Sequence, residues 1–237
     1  MIRIAEAYSD ENGQARDGQL GDQNEREIRI KEWYKRDGGW SIYIECTDPE
    51  LAASAAEKAE LIAKHDQYGY NQSNRWSGYK RIIEADGDIA AAEAGDFDCS
   101  SHVLTAYILS GLDIKPEGYT GNIERILLST GKFKSYKDSA HTDSAKLAKR
   151  GSMYLEPGSH VMMVLDDAEV ANGIPVSEDP RVYAKGSVRV RESPIDGATI
   201  RVLHDGESLP LISTWHAVEV DGQRGYISAN ERYTEVM

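Results

Sequence analysis

Residues 95–112, GDFDCSSHVLTAYILSGL, constrain the fold more than any other stretch of the chain. Gly95 and Asp96 read as a break in regular structure. Asp98, Ser100 and Ser101 all favour a helix start, because short polar side chains accept hydrogen bonds from the free N–H groups of a first turn. Val103, Leu104, Tyr107 and Ile108 follow with so little polar interruption that the helix must be largely buried. Gly111 can supply the C-terminal cap. Cys99 therefore falls in the first turn of a helix that other elements must surround.

The neighbouring segments supply those elements. Thr47 and Glu50 have capping-box spacing, with Pro49 in the first turn. Leu51, Ala55, Ala59 and Ile62 then mark an amphipathic helix ending near His65. Residues 66–76 read as loop, Tyr79–Ala85 as a short helix and Thr120–Gly131 as another. SMYL (152–155), a Pro157-Gly158 turn and HVMMVL (160–165) read as two strands. The second is apolar on both faces, as in a central strand, with His160 at its head. The first 40 or so residues are rich in Gly, Asp, Asn and Gln and read as loop, apart from a short strand in IRIKEWY, 28–34.

From about Arg181 short alternating runs take over, separated by Gly, Asp and Ser-Pro, with Asp221-Gly222 as a hairpin signal. They predict a small all-β barrel over 182–237, after a first domain of 1–175 and a linker of 176–181. The chain of 237 residues carries a net charge of -13. Residues 182–237 hold six Lys/Arg against eight Asp/Glu, so the acidity belongs to the first domain. A chain this acidic is a poor general binder of nucleic acid, which needs a basic surface. No run of roughly 18 apolar residues is present to span a membrane, and the N-terminus has no basic-then-apolar signal pattern. Two cysteines, Cys46 and Cys99, make no disulfide framework. No HxxxH or HxH pair calls for zinc, so neither metal nor cofactor is expected.

The chemistry-bearing residues are then few. A helix N-terminus favours thiolate over thiol, which would activate Cys99 as a nucleophile. An imidazole can take its proton and later protonate a leaving amine. His160 is the first choice for that base. His102, one turn from Cys99, ranks below it because two groups on one helix seldom aim at the same substrate atom. Asn172 is the candidate to orient the imidazole. Cys46 reads as structural or surface, and His141, His204 and His216 as surface. The competing reading is that Cys99 is inert core and His160 a structural histidine, since most such residues are.

The segments DCSS (98–101), KRGSMYL (149–155) and GSHVMMVL (158–165), with LGDQNEREIRIKEWY (20–34) and QYGYNQSNRW (67–76) upstream, resemble the NlpC/P60 superfamily. The phage-lysin amidohydrolase branch is the most similar, over roughly residues 3–173. Ser152 departs from it, standing where the branch usually has Asp. The resemblance implies an α+β, papain-like domain with helices packed on an antiparallel sheet. It implies Cys99 as nucleophile, His160 as base, Asn172 as a variable third residue, Tyr70 as an oxyanion donor, and Asp98 and Ser101 as residues that position substrate or shape the site. The segments SVRVRESP, IRVLHDGESLPLI and WHAVEVDGQRGYIS resemble a bacterial SH3-type (SH3b) domain, which implies wall targeting or only packing. Trp215, Tyr183, Tyr226 and Tyr233 are its available aromatics. The expected activity is cleavage of a stem-peptide amide in bacterial peptidoglycan, as N-acetylmuramoyl-L-alanine amidase or D-glutamyl endopeptidase. A lysin of phage or prophage origin, made in the cytoplasm and acting at the wall, fits. The alternatives are an inactive wall-binding protein and a cysteine acyl or peptidyl transferase. Oligomeric state stays open.

Overall fold

The structure is a computed structural model. It describes residues 1–168 and, beyond them, 181–184, 187–191, 199–203, 208–210, 217–220, 223–226 and 234–236. The chain divides into two compact units, Met1–Val170 and Ala171–Met237.

The first unit runs in chain order as β1 (Arg3–Ala7), β2 (Ile28–Glu32), β3 (Ile42–Cys46), α1 (Pro49–Ile62), β4 (Tyr68–Tyr70), α2 (Ser77–Glu84), β5 (Gly95–Phe97), α3 (Cys99–Leu109), α4 (Ile123–Ser129), β6 (Phe133–Tyr136), α5 (Ser139–Thr142), β7 (Met153–Glu156) and β8 (His160–Val164). Six strands form one antiparallel sheet in the order β2-β1-β8-β7-β3-β6, so β8 is central. The class is α+β. β4 and β5 make a separate parallel pair.

Strand alternation sorts the sheet into two faces. Ala5, Ile44, Met153, Val161 and Met163 pack with α1 and α3 in the main core. Ile4, Tyr43, Tyr154, Met162 and Val164 face the other way and are covered by Trp40. α3 is buried from Cys99 through Tyr107. Each fully buried Val or Leu on it contributes about 1.5–3 kcal/mol. Gly111 follows the helix at φ +94°, the left-handed value its cap requires.

Several expectations need correction. The N-cap of α1 is Asp48, whose carboxylate accepts the Leu51 N–H at 3.2 Å, while the Thr47 hydroxyl donates to the Lys132 carbonyl. The Thr47–Glu50 capping box is thus absent, and the helix ends at Ile62. Gly95-Asp96 is not a break but the start of β5. Glycine is needed at 95 because a Cβ there would overlap the backbone of Gly78 in α2. β4 lies inside the segment read as loop, and β1 lies inside the N-terminal stretch read the same way.

Gly151 sits in the turn before β7 at φ +81°, and an added Cβ would meet the Ala52 carbonyl of α1. The Tyr107 hydroxyl donates to the Gly151 carbonyl, tying α3 to the same turn. Gly151→Ala combines an unfavourable φ with overlap against backbone. It should cost about 2 kcal/mol or more and lower the Tm by roughly 5 °C in a thermal melt.

Among the described residues of the second unit every element is a strand. They are β9 (Arg181–Ala184), β10 (Val188–Arg191), β11 (Thr199–Leu203), β12 (Ser208–Pro210), β13 (Ala217–Val220), β14 (Gln223–Tyr226) and β15 (Thr234–Val236). They form two antiparallel sheets, β11-β10-β14-β13 and β12-β9-β15. Val188, Val190 and Leu203 are buried. β13 and β14 pair with Val220 opposite Gln223. Asp221-Gly222 between them lie outside the described residues, as do Asn172, His204, Trp215, His216, Tyr233 and all of the 176–181 linker except Arg181.

Candidate active site

Cys99 is the first residue of α3, and its turn is built by its neighbours. The Asp98 carboxylate accepts the Ser101 N–H at 2.7 Å, and the Ser101 hydroxyl accepts the Asp98 N–H at 2.8 Å. This reciprocal cap satisfies donors that a helix start otherwise leaves free. The Ser100 hydroxyl donates to the same Asp98 oxygen, and Arg75 holds the other at 2.9 Å. Asp98 and Ser101 are therefore committed to shaping the first turn. Arg75 belongs to the QYGYNQSNRW segment that carries the resemblance, but nothing local in the sequence pairs it with Asp98.

Tyr70 reaches this turn through the β4–β5 pairing, which sets it opposite Phe97, one residue before Asp98. Its backbone N–H donates to Glu27, and its hydroxyl accepts from Gln72 at 3.2 Å. Burial, and then the negative charge Cys99 would carry, raise the Tyr70 phenol above its ordinary value. It stays protonated and so keeps a hydrogen to donate.

The Cys99 thiol itself overturns one expectation. Burial first, and the Asp98 charge second, push it up to about 12. Backbone N–H groups of Val161, Ser100 and Cys99 favour the thiolate, but do not outweigh burial. The helix start alone does not activate this cysteine. Its side chain is only 4% exposed.

His160 begins β8, one residue before the Val161 backbone that faces Cys99. Alternation turns it with Met162 and Val164 toward Trp40, at 6.1 Å between ring centroids, while Cys99 packs with Val161 and Met163 on the other face. No hydrogen bond joins Cys99 to His160. The ring's bond is instead from Nε2 to Glu6 at 2.8 Å, which leaves Nδ1 without a hydrogen bond among the described residues.

Glu6, in β1, is the residue that sequence reading missed. It is fully buried and also accepts from Tyr34 at 2.8 Å and pairs with Arg29 at 2.7 Å. Burial would raise its carboxyl, but His160, Tyr34 and Arg29 outweigh that and hold it at about 2. The available signal was a lone carboxylate inside the apolar run IRIAEA. Glu6 is the carboxylate that bonds the His160 ring, while Asn172, the expected orienting residue, lies outside the described residues.

The sign of the Glu6 shift sets an acid window. A carboxyl near 4.5 when unfolded and near 2 when folded contributes fully above about pH 4.5, and the contribution fades as pH falls toward 2. That contribution is about 3 kcal/mol. Urea unfolding at pH 5 and pH 2.5 should show it as a fall in midpoint that Glu6→Gln largely removes.

Two other histidines have clear structural partners. His102 is fully buried with Nε2 on the Ala59 carbonyl, and burial lowers it to about 4, so it is neutral core. His141 is not simply surface: it stacks on Tyr136 at 4.0 Å and bonds Asp138 at 2.8 Å. Cys46 is buried at the end of β3, its thiol donating to the Asp48 carbonyl. Among the described residues no cluster of His, Cys, Asp and Glu could hold a metal ion, and no helix is long and apolar enough to cross a membrane.

A family model described as an endolysin-like domain matches residues 4–171, nearly all of the first unit. No curated protein and no solved structure matches the chain.

Proposed function

The chain belongs to the endolysin-like domain family, whose function is of the phage-lysin cell-wall type, and from that premise we propose that it cleaves a stem-peptide amide of bacterial peptidoglycan by a thiol mechanism. One observation carries the reading: the Cys99 thiol lies against the backbone of Val161, one residue from His160, whose Nε2 is fixed by Glu6. Resemblance to the NlpC/P60 superfamily supports it.

The resting thiol is protonated, so catalysis begins with proton transfer. With Nε2 held by Glu6, His160 offers Nδ1 as the base. The two side chains start on opposite faces of the sheet, so this step requires the start of β8 to turn the His160 ring toward Cys99 when substrate binds. The thiolate attacks the amide carbonyl carbon. Tyr70 and the Cys99 N–H stabilise the oxyanion. Protonated His160 gives its proton to the leaving amine, and the C–N bond breaks. His160 then deprotonates water, which hydrolyses the thioester and restores the thiol. Asp98, Ser101 and Arg75 hold the turn on which this depends. The second unit is read as an SH3b-like module that targets the wall.

Mass spectrometry of acid-quenched protein after exposure to soluble muropeptides tests this step. One acyl adduct mapping to Cys99 is expected; an adduct on another residue, or cleavage unaffected by prior alkylation of Cys99, would refute it.

A second reading is an inactive wall-binding protein. The burial of Cys99 and the missing bond to His160 favour it. Wall binding without any bond cleavage would select it. A cysteine transferase using the same pair would instead turn over small acyl donors without wall lysis.

A further inference from the structure

The face of the sheet that carries His160 opens into a pocket of about 620 Å³. Its charge is opposite to that of the chain: Arg29, Lys31, Lys35 and Arg36 line it against a single carboxylate, Asp37, in a protein of net charge -13. Two of these cations are already neutralised, Arg29 by Glu6 and Lys35 by Asp143. The other two have no carboxylate partner among the described residues. Instead they are held in place by aromatic rings. The Lys31 ammonium sits 4.3 Å from the Tyr34 ring centroid, and the Arg36 guanidinium 5.4 Å from that of Trp40 while it donates to the Ser159 hydroxyl. Such contacts restrict long side chains that would otherwise lose entropy on binding, and each leaves N–H donors unspent.

We propose that this pocket is an anion subsite in which Lys31 and Arg36 bind the carboxylates of an acidic stem peptide, beside His160. The proposal deepens the peptidoglycan reading and rests on it for the identity of the peptide. A carboxylate is the group that a planar guanidinium and a fixed ammonium recognise together. The pocket also answers a difficulty of the sequence, since an anionic protein must approach an anionic substrate. Local positive charge, shielded from the remaining acidity over about 8 Å at physiological salt, offsets the repulsion at the point of contact. Ser159 and His160 line it, which places it on the His160 face of the sheet, opposite the face on which Cys99 packs.

The test uses the full chain carrying Cys99→Ala, so that bound peptide is not consumed. Calorimetric titration with alanyl-γ-D-glutamyl-lysine is compared with titration of the same peptide with its carboxylates amidated. Adding Lys31→Met and Arg36→Met should weaken binding of the acid peptide about tenfold or more. The amidated peptide should bind as weakly to either protein. Lys31→Arg with Arg36→Lys should restore most of the affinity. Polyglycerol phosphate serves as the competing anion and should not displace the peptide. Unchanged affinity in the Met variants would overturn the proposal, as would no binding of the acid peptide at all. Tighter binding of polyglycerol phosphate through the same two residues would assign the pocket to phosphate and overturn it equally. The two failures are separable. Charge-dependent peptide binding with no cleavage by the wild-type protein leaves the subsite and removes the hydrolase. Cleavage with no effect of the Met variants on binding does the reverse.

Discussion

Cys99→Ala should lose wall-cleaving activity by at least about 10³-fold, the scale seen when a nucleophile is removed from a group of residues that act as a unit. Folding should survive, because alanine fills most of the same buried site and the cap made by Asp98 and Ser101 does not use the thiol. A small change in Tm with unchanged secondary structure by circular dichroism is expected. Cys99→Ser should be nearly as inactive, since a hydroxyl is still harder to deprotonate than a thiol that burial already holds at about 12. Substantial activity in either variant would remove the thiol mechanism.

Glu6→Gln should have the largest effect on stability. Glu6 is fully buried between His160, Tyr34 and Arg29, so removing its charge takes the buried partner from an Arg29 guanidinium that is only partly exposed. Breaking one side of a buried pair costs about 3–5 kcal/mol. Gln keeps the shape and can still accept from Tyr34, which favours the lower end. The functional consequence separates a positioning residue from a merely structural one. If Glu6 fixes the His160 ring, the folded Gln variant should also show changed His160 ring chemical shifts by NMR and a lowered kcat at unchanged KM. A variant that is only less stable would keep both.

How far the sequence reveals this site depends on the range of the interactions. The Cys99 turn was legible because a cap is local: Asp98, Ser100 and Ser101 lie within three residues of the atoms they serve. β8 was legible because five consecutive buried residues leave one interpretation. The α1 cap was misplaced by one residue, since Thr47 and Asp48 are both good caps and only the tertiary bond from Thr47 to the Lys132 carbonyl decides between them. β4 and β5 were missed because a three-residue strand carries no periodicity. β1 was missed because Glu6 interrupts its apolar pattern, and that interruption is the feature that matters. Its meaning depends on His160, 154 residues away. The thiol's protonation state was misjudged for a related reason. The helix start is visible in the sequence, but the burial that outweighs it is a property of the packed core.

Mass spectrometry of purified bacterial sacculi digested with the full chain, with Cys99→Ala run in parallel, tests the central claim most directly. The account predicts fragments with new peptide amino and carboxyl ends on intact glycan strands, produced by the wild-type protein alone. New reducing sugar ends on intact peptides, or the same peptide fragments from Cys99→Ala, would contradict it.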